Sequence, residues 1–298
     1  MFEVIKAIVF GIVEGITEWL PISSTGHMIL LNEFLTLDVS KEFWNMFLVV
    51  IQLGAILAVV VLFWNQIWPF VRTAKRSTAG NTDGYKNIRQ QKHWFPGPLA
   101  VRMEIMINWL KIVLACLPAI LFVLLDLDDY CDQLFYNPVC VSIALIVFGI
   151  AFILVENRNK GKKATVLSMQ DITWKMAVLI GLFQLLAAAF PGTSRSGATI
   201  IGALLIGISR KAASEFTFIL AIPVMLGASL LELLDFGFIL TGTEWAILLA
   251  GLVSAFVVSI VVIKFLLGYI RKHDFKVFGW YRILLGVVVL LYFGIMAR

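Results

Sequence analysis

The sequence predicts an all-α integral membrane protein with six spanning helices and two broken re-entrant helical hairpins, arranged as an inverted-topology repeat. Three observations predict this class: the composition, the long apolar stretches, and the similarity of the two halves of the chain. Of the 298 residues, 60% are hydrophobic and 14% are charged, whereas a soluble domain is about half apolar and about a quarter charged. This composition excludes a disordered, collagen-like or disulfide-framework protein and disfavours a soluble enzyme.

Six apolar stretches are long enough, or nearly so, to cross a bilayer, which requires about 20 residues. They cover residues 43–64, 105–125, 138–155, 215–235, 245–267 and 281–297. Four further runs are shorter and are interrupted by charged residues, Pro, Gly or Ser: residues 4–20, the run after His27, 176–190 and 198–208. Helices of that length cross only part of a ~30 Å hydrocarbon core. We therefore expect re-entrant segments, which are tolerated where they are buried in protein or line a wet cavity.

The basic residues predict the orientation. Segment 65–104 carries seven Lys/Arg, 156–175 five and 268–282 four, whereas loop 126–137 carries none and has four Asp. Because Lys and Arg concentrate in cytoplasmic loops, we expect 65–104, 156–175, 209–214 and 268–282 to be cytoplasmic and both termini to lie outside. The polar stretch 72–98 is expected to be an irregular cytoplasmic loop. The net charge of +5 then reflects how the protein is oriented in the membrane, and no nucleic-acid partner is expected.

An internal repeat relates residues 1–155 to residues 176–298 within a predicted single transmembrane domain over 1–298. At an offset of 170 positions, the matching pairs are Gly11 and Gly181, Glu14 and Gln184, Pro21 and Pro191, and Ser24 and Ser194. The predicted topology brings the two hairpins in from opposite sides of the membrane. The sequence therefore predicts an inverted repeat whose broken hairpins meet near the midplane.

The first hairpin places two carboxylates at membrane depth. Glu14 and Glu18 are four residues apart and share one helix face. A charged residue inside the membrane usually faces a cavity or a partner, so the pair is a candidate site for a divalent cation. Water at the outer interface is the alternative environment for both groups.

A serine-rich turn and a histidine follow Pro21. Ser23, Ser24 and Thr25 precede a helix whose N-terminal amides attract anions. If Ser24 is the N-cap, the His27 ring can approach its hydroxyl, and a nucleophile needs a base within hydrogen-bond reach. Helix capping is the alternative role for the Ser and Thr side chains.

The second hairpin contains the segment PGTSRSGAT at 191–199. Arg195 lies between two apolar helices, and the hydroxyls of Ser194, Ser196 and Thr199 surround it. A planar guanidinium with neighbouring N–H and O–H donors suits phosphate oxygens. A structural bridge from Arg195 to Glu14 or Glu18 is the alternative. Together the two hairpins predict phosphoryl transfer, where catalysis is mostly positioning and charge stabilisation.

These motifs resemble those of the bacterial undecaprenyl-diphosphatase family, the bacitracin-resistance type. The resemblance covers nearly the whole chain and rests on EGITEWLPISSTGH (14–27), FLVVIQLGAILAVV (47–60), PGTSRSGATI (191–200) and SRKAASEFTFILAIPVMLGA (209–228). It implies a phosphatase of the bacterial cell membrane that converts undecaprenyl diphosphate to the monophosphate, recycles this lipid carrier for cell-wall synthesis and confers bacitracin resistance. It also implies a requirement for Mg²⁺ or Ca²⁺ and an active site that opens to the outer side.

By position, the resemblance assigns Glu14 and Glu18 to the family's acidic pair, Ser24 and His27 to its serine and histidine, and Arg195 to its arginine. We hypothesise that a cation on Glu14 and Glu18, with Arg195, neutralises the phosphates while Ser24 attacks and His27 relays the proton. Attack by His27 itself, or by a metal-activated water, would use the same residues.

Two other functions remain open at this point. Inverted repeats with broken helices are typical of transporters, so a polyprenyl-phosphate flippase or an anion transporter is the main alternative. A lipid phosphatase of the phosphatidic-acid type is disfavoured because Ile201 stands where that family's second motif would place a histidine. The expected partners are the polyprenyl diphosphate substrate and membrane lipids, and a homodimer is left open.

Overall fold

Six helices in the computed structural model are long and apolar enough to cross a membrane. The structure describes residues 1–72, 99–237 and 239–296. Within these ranges the spans are Lys41–Leu62, Met103–Leu124, Pro138–Asn159, Arg210–Phe236, Gly242–Tyr269 and Lys276–Ile295. Each overlaps one predicted stretch, so the prediction of a helical membrane protein with six spans is confirmed.

The described ranges consist mainly of α-helices. In order they are α1 Phe2–Thr17, α2 Ser24–Phe34, α3 Lys41–Val50, α4 Gln52–Leu62, α5 Trp64–Ile67, α6 Met103–Leu124, α7 Leu127–Phe135, α8 Pro138–Asn159, α9 Trp174–Ala189, α10 Arg195–Leu205, α11 Arg210–Phe236, α12 Gly242–Tyr269 and α13 Lys276–Met296. Helices α3 and α4 together form the first span.

Polar side chains mark the starts of five helices. In each case the side chain of the capping residue accepts a hydrogen bond from a backbone N–H in the first turn: Ser40, Asn137, Thr173, Ser209 and Thr241. Such a cap satisfies a donor that would otherwise lack a partner and contributes about 1 kcal/mol. The local sequence therefore defines where these helices begin.

Two pairs of short helices have matching lengths. Helices α1 and α9 have 16 residues each, and α2 and α10 have 11 each. At about 1.5 Å per residue, 16 residues rise only about 24 Å. We call α1–α2 the first helix pair, joined by the first turn (residues 18–23), and α9–α10 the second helix pair, joined by the second turn (residues 190–194).

Close backbone contacts fix the long arm of each pair. Helix α1 packs along α12, and α9 packs along α6. At both crossings a glycine faces a carbonyl of the neighbouring helix, because a Cβ on Gly11 would overlap the Gly251 carbonyl oxygen and one on Gly181 would overlap that of Ala115. Glycine is required there because any side chain would push the helices apart.

The largest apolar cluster within the described ranges lies beside the first turn and α10. Trp19 of the first turn is fully buried and packs edge-to-face on Phe218 of α11, with ring centroids 5.2 Å apart. Ile22 of the same turn and Ile200 of α10 belong to the same cluster. Apolar packing therefore lies against the first turn and α10.

The structure adds elements that the sequence analysis did not predict. Phe70–Arg72 pairs antiparallel with Leu99–Val101 to form a two-stranded ribbon, β1 and β2. The acidic loop 126–137 contains α7, a helix of nine residues. The predicted irregular loop 72–98 lies, except for Arg72, outside the described residues.

Candidate active site

An ion pair joins the two helix pairs. Arg195, the first residue of α10, donates from Nη2 to Oε1 of Glu18 at 2.8 Å. The Ser196 hydroxyl donates to the Glu18 carbonyl oxygen at 3.2 Å. Both charged side chains are largely buried, with 13% and 9% of their surface exposed. The structure therefore brings the predicted acidic motif and the predicted arginine motif into one site, and Glu18 rather than Glu14 is the partner of Arg195.

The first turn places the Ser24 hydroxyl on the same carboxylate. Its Oγ donates to Glu18 Oε2 at 3.0 Å. Ser23, not Ser24, is the N-cap of α2, and its hydroxyl accepts from the Gly26 N–H at 3.4 Å. The expectation of Ser24 as the cap is therefore wrong. Because Ser23 takes the capping role, the Ser24 hydroxyl can donate to the carboxylate.

The His27 ring does not contact the Ser24 hydroxyl. Its Nδ1 lies 2.7 Å from the Ser23 carbonyl oxygen, and its Nε2 lies 2.7 Å from the hydroxyl of Tyr281 in α13. The predicted Ser24–His27 contact is thus replaced, because on a helix the ring of His27 reaches back four residues to the Ser23 carbonyl.

Strained backbone is shared by the two turns. Ser23 has φ of 73° and Ser194 has φ of 71°, and Asp126 is the other non-glycine residue with positive φ in the described ranges. Ser194 caps α10 as Ser23 caps α2, accepting from the Gly197 N–H at 3.2 Å. Positive φ costs a non-glycine residue free energy, and such residues concentrate at functional sites. The two helix pairs therefore share their turn geometry as well as their length.

The hydroxyls predicted to bind phosphate take part in the internal structure of the second helix pair. Ser194 and Ser196 lie 3.1 Å apart, Oγ to Oγ. Thr199 is fully buried, donates to the Arg195 carbonyl oxygen at 2.9 Å, and accepts from Thr217 at 3.0 Å. Thr25, near the start of α2, is partly exposed.

Arg282 joins the two turns of the site. The basic pattern predicts that it lies in the cytoplasmic segment 268–282, but this prediction is wrong, because Arg282 is fully buried. Its guanidinium donates to the carbonyl oxygens of Thr193 at 2.7 Å, Gly192 at 2.9 Å and Pro21 at 3.3 Å. Arg282 therefore links the first turn to the second. A charge inside the predicted span 281–297 was the signal that could have identified it.

Glu14 meets the requirements for a cation ligand. It is 1% exposed, and its Oε1 has no hydrogen-bond partner in the described ranges. Carboxylate oxygens are the ligands that Mg²⁺ and Ca²⁺ prefer, and Mg²⁺ is often bound by one or two carboxylates plus substrate phosphates. The described ranges contain no cluster of three or more His, Cys, Asp or Glu suited to a metal. Glu14 and Glu18 thus fit a site that substrate oxygens complete, rather than an all-protein cage.

The repeat partner of Glu14 has a similar environment. Gln184 is 3% exposed, and both polar atoms of its side chain lack a hydrogen-bond partner in the described part of the chain. Burying such groups without partners costs free energy. Each helix pair therefore carries a buried polar side chain, at matching positions of its long arm, that can accept a ligand or water.

The chain is similar to one known protein family and to individual proteins of known name. Residues 7–288 match the profile described as bacitracin resistance protein BacA. Among relatives, the undecaprenyl-diphosphatase of Desulfitobacterium hafniense is 56% identical over 294 residues, which cover 99% of this chain and 97% of that protein. The undecaprenyl-diphosphatase of Enterococcus faecalis is 54% identical over 289 residues, covering 97% of this chain and 96% of the relative. The match extends over nearly the whole length of each sequence, and the chain therefore belongs to the bacitracin resistance protein BacA family.

Proposed function

We propose that this chain hydrolyses undecaprenyl diphosphate to undecaprenyl phosphate and inorganic phosphate in the bacterial cell membrane. One observation carries the proposal: a single carboxylate, Glu18, contacts both the Ser24 hydroxyl and the Arg195 guanidinium. A hydroxyl nucleophile, a proton acceptor and an anion-binding cation are the groups that phosphoryl transfer needs. The names of the two relatives support the choice of substrate.

Ser24 is the nucleophile of the proposed first step. Its Oγ attacks the terminal phosphorus, and the proton passes to Glu18 Oε2, which already accepts the hydrogen bond at 3.0 Å. The bond from that phosphorus to the bridging oxygen breaks, and undecaprenyl phosphate leaves. Arg195 uses one N–H for Glu18 and one for the Thr217 carbonyl oxygen. A guanidinium has five N–H donors, so others can bind phosphate oxygens.

His27 acts in the proposed second step. A water attacks the phosphorus of the phosphoserine, His27 Nε2 accepts the proton of that water, and the bond between phosphorus and Ser24 Oγ breaks. Oγ takes back the proton held by Glu18, and the imidazolium later releases its own proton. The hydroxyls of Ser23, Thr25, Ser194, Ser196 and Thr199 are proposed to bind phosphate. For this, Ser23, Ser194, Ser196 and Thr199 exchange their internal hydrogen bonds for bonds to substrate oxygens.

A divalent cation, Mg²⁺ or Ca²⁺, belongs to the proposal through Glu14 and Glu18. When bound, it supplies positive charge for the phosphate oxygens. The buried, unpartnered Oε1 of Glu14 supports this assignment. Loss of activity in a chelator, with recovery on adding back one of the two cations, tests it.

The proposed membrane arrangement is an inverted repeat of 1–155 and 176–298, in which the two helix pairs are re-entrant. Equal helix lengths, the matching φ of Ser23 and Ser194, and the matching glycine crossings support it. Both termini and the opening of the site are proposed to face outside. Labelling of a Thr25→Cys variant in cells by an impermeant thiol reagent tests this, and labelling from the cytoplasmic side alone would contradict it. A homodimer stays a prediction.

The activity is tested by inorganic phosphate release from undecaprenyl diphosphate by the purified protein in detergent with Mg²⁺ or Ca²⁺. We expect His27→Ala and Arg195→Ala to lower kcat by about 10²–10⁴-fold, the range for losing a general base or a charge-stabilising donor. His273→Ala is a matched control, because His273 also places Nδ1 near the carbonyl oxygen four residues back, at 3.2 Å, but is exposed. Absence of phosphate release by the wild-type protein would overturn the enzymatic function.

The matched turns also favour a second candidate, transport of polyprenyl phosphate or of an anion. In vesicles, movement of the lipid or phosphate without hydrolysis would support the transporter in place of the enzyme.

Rapid acid quenching and peptide mapping identify the nucleophile. We expect phosphate on Ser24, whereas phosphohistidine at His27 would reassign the nucleophile and the absence of any adduct would favour direct attack by water.

A further inference from the structure

We propose that Tyr281 is a positioning residue for His27: its hydroxyl fixes the tautomer and orientation of the imidazole, so that Nε2 is the unprotonated nitrogen that serves as the base. The proposal rests on the proposed hydrolysis and adds a residue from α13, more than 250 positions from His27 and outside the motifs described above. Tyr281 acts through His27 and does not itself react with the substrate.

Two hydrogen bonds, one at each nitrogen of the imidazole, define the position of the ring. Nδ1 lies 2.7 Å from the Ser23 carbonyl oxygen, and Nε2 lies 2.7 Å from the Tyr281 hydroxyl. The two rings are also stacked, with centroids 5.6 Å apart and planes within 4° of parallel. Rotation of the imidazole would break both hydrogen bonds and the stacking, so the ring has one favoured orientation.

The chemistry of the two partners selects one tautomer. A carbonyl oxygen only accepts, so Nδ1 must carry the proton in the contact with Ser23. In a neutral imidazole the other nitrogen is then an acceptor, so Nε2 accepts from the Tyr281 O–H. This is the arrangement of a general base whose second nitrogen is oriented by a backbone carbonyl. When Nε2 takes a proton, the phenol can rotate and accept from the new N–H, and it keeps its own proton throughout.

The position of Tyr281 is itself constrained by the residue that follows it. Arg282 donates to the carbonyl oxygens of Pro21 and Gly192 from a fully buried position. Two adjacent residues of α13 therefore contact the first helix pair. Arg282 donates to the backbone of the first turn, and the Tyr281 hydroxyl contacts His27 of α2. Tyr281 is 42% exposed, and in the proposed second step the attacking water takes the place of the phenol hydroxyl at Nε2 before it gives up its proton.

Tyr281→Phe tests the proposal, because it removes the hydroxyl and keeps the stacked ring. We expect kcat to fall about 10-fold or more, KM to change less than about twofold, and the acid limb of the kcat–pH profile to move to higher pH. The limb moves because the neutral imidazole loses a donor that stabilises it. Tyr269→Phe is the control, since Tyr269 stacks on the exposed His273 at 4.5 Å between centroids.

Two further measurements separate positioning from a structural role. In the double variant His27→Ala/Tyr281→Phe we expect no loss beyond that of His27→Ala alone, because Tyr281 acts through His27. In ¹⁵N NMR of the histidine-labelled protein, which has three His, we expect the His27 signal to show a protonated Nδ1 and an unprotonated Nε2. Wild-type kcat and pH profile in Tyr281→Phe, additive losses, or a protonated Nε2 in the neutral ring would each overturn the proposal. Failure of the proposed hydrolysis is a different result, namely no phosphate release by the wild-type protein.

Discussion

Replacing Arg282 with methionine removes a buried side chain that donates hydrogen bonds to both turns of the site. The guanidinium donates to Thr193 at 2.7 Å, to Gly192 at 2.9 Å and to Pro21 at 3.3 Å. Methionine keeps much of the aliphatic volume but has no donor. The substitution therefore tests whether these contacts set the geometry of the two turns or only fill space between them.

Two opposing effects determine the expected change in stability. A hydrogen bond from a charged donor contributes about 1.5–3 kcal/mol, so the two short bonds to the second turn contribute about 3–6 kcal/mol. The substitution also removes the cost of burying a cation, which is several kcal/mol. We therefore expect a net loss of only about 2 kcal/mol in the free energy of unfolding. Activity should fall further, since a displacement of about 1 Å in a catalytic site can lower the rate about 10²-fold.

The assay pairs kcat for phosphate release with the midpoint of thermal unfolding in detergent, and kcat is measured well below the midpoint of the variant. Arg271→Met is the control, because Arg271 is an exposed cation of the segment that precedes α13. We expect the control to match the wild-type protein in both measurements. A wild-type kcat in Arg282→Met would show that the two turns keep their relative position without the guanidinium, which contradicts the positioning role of Arg282.

Three further predictions concern stability, measured by thermal or denaturant unfolding in detergent. Gly11→Ala should destabilise the protein by about 1–3 kcal/mol, because the new Cβ overlaps a carbonyl oxygen of α12. Gly268→Ala is the control and should leave the stability unchanged, because the space around its Cβ is open; equal effects of the two substitutions would contradict the close packing. Glu156→Ala should cost about 3–4 kcal/mol, the lower part of the range of about 3–5 kcal/mol for breaking a buried ion pair, because its partner Arg210 is 37% exposed; an unchanged midpoint would show that the pair is dispensable. Ser194→Ala keeps the positive φ but loses the cap, so it should destabilise the protein by about 1–2 kcal/mol. Ser194→Gly should destabilise it less, because glycine adopts that φ without strain; a larger loss for Ser194→Gly than for Ser194→Ala would rule out this account of the turn.

The spanning helices could be predicted because their signal is local. A run of apolar residues identifies each span without knowledge of its neighbours, and the error is confined to the ends. The third span was predicted over 138–155, but the helix continues to Asn159. It continues because Glu156 is buried in contact with Arg210 and the Phe275 N–H, and a count of apolar residues treats that glutamate as the end of the span.

The members of the site could be predicted in part. The motifs correctly indicated that Glu18, Ser24 and Arg195 lie together. The contacts among these residues could not be predicted as well. Glu14 and Glu18 are both carboxylates one helical turn apart, and packing determines which of them contacts Arg195. The Ser24–His27 contact was wrong because two nearer partners, the Ser23 carbonyl and the Tyr281 hydroxyl, take both ring nitrogens.

The class of protein, its six spans, the two short helix pairs and the residue types in their turns can all be read from the amino-acid sequence. They depend on hydrophobicity and helix-capping chemistry within a few residues of each position. The hydrogen-bond partners depend on how the chain folds, because they join residues 177 positions apart for Glu18 and Arg195 and 261 positions apart for Pro21 and Arg282. Composition cannot distinguish a solvated arginine from one that donates to buried carbonyls, since the difference lies in ångström-scale distances to residues distant in the chain.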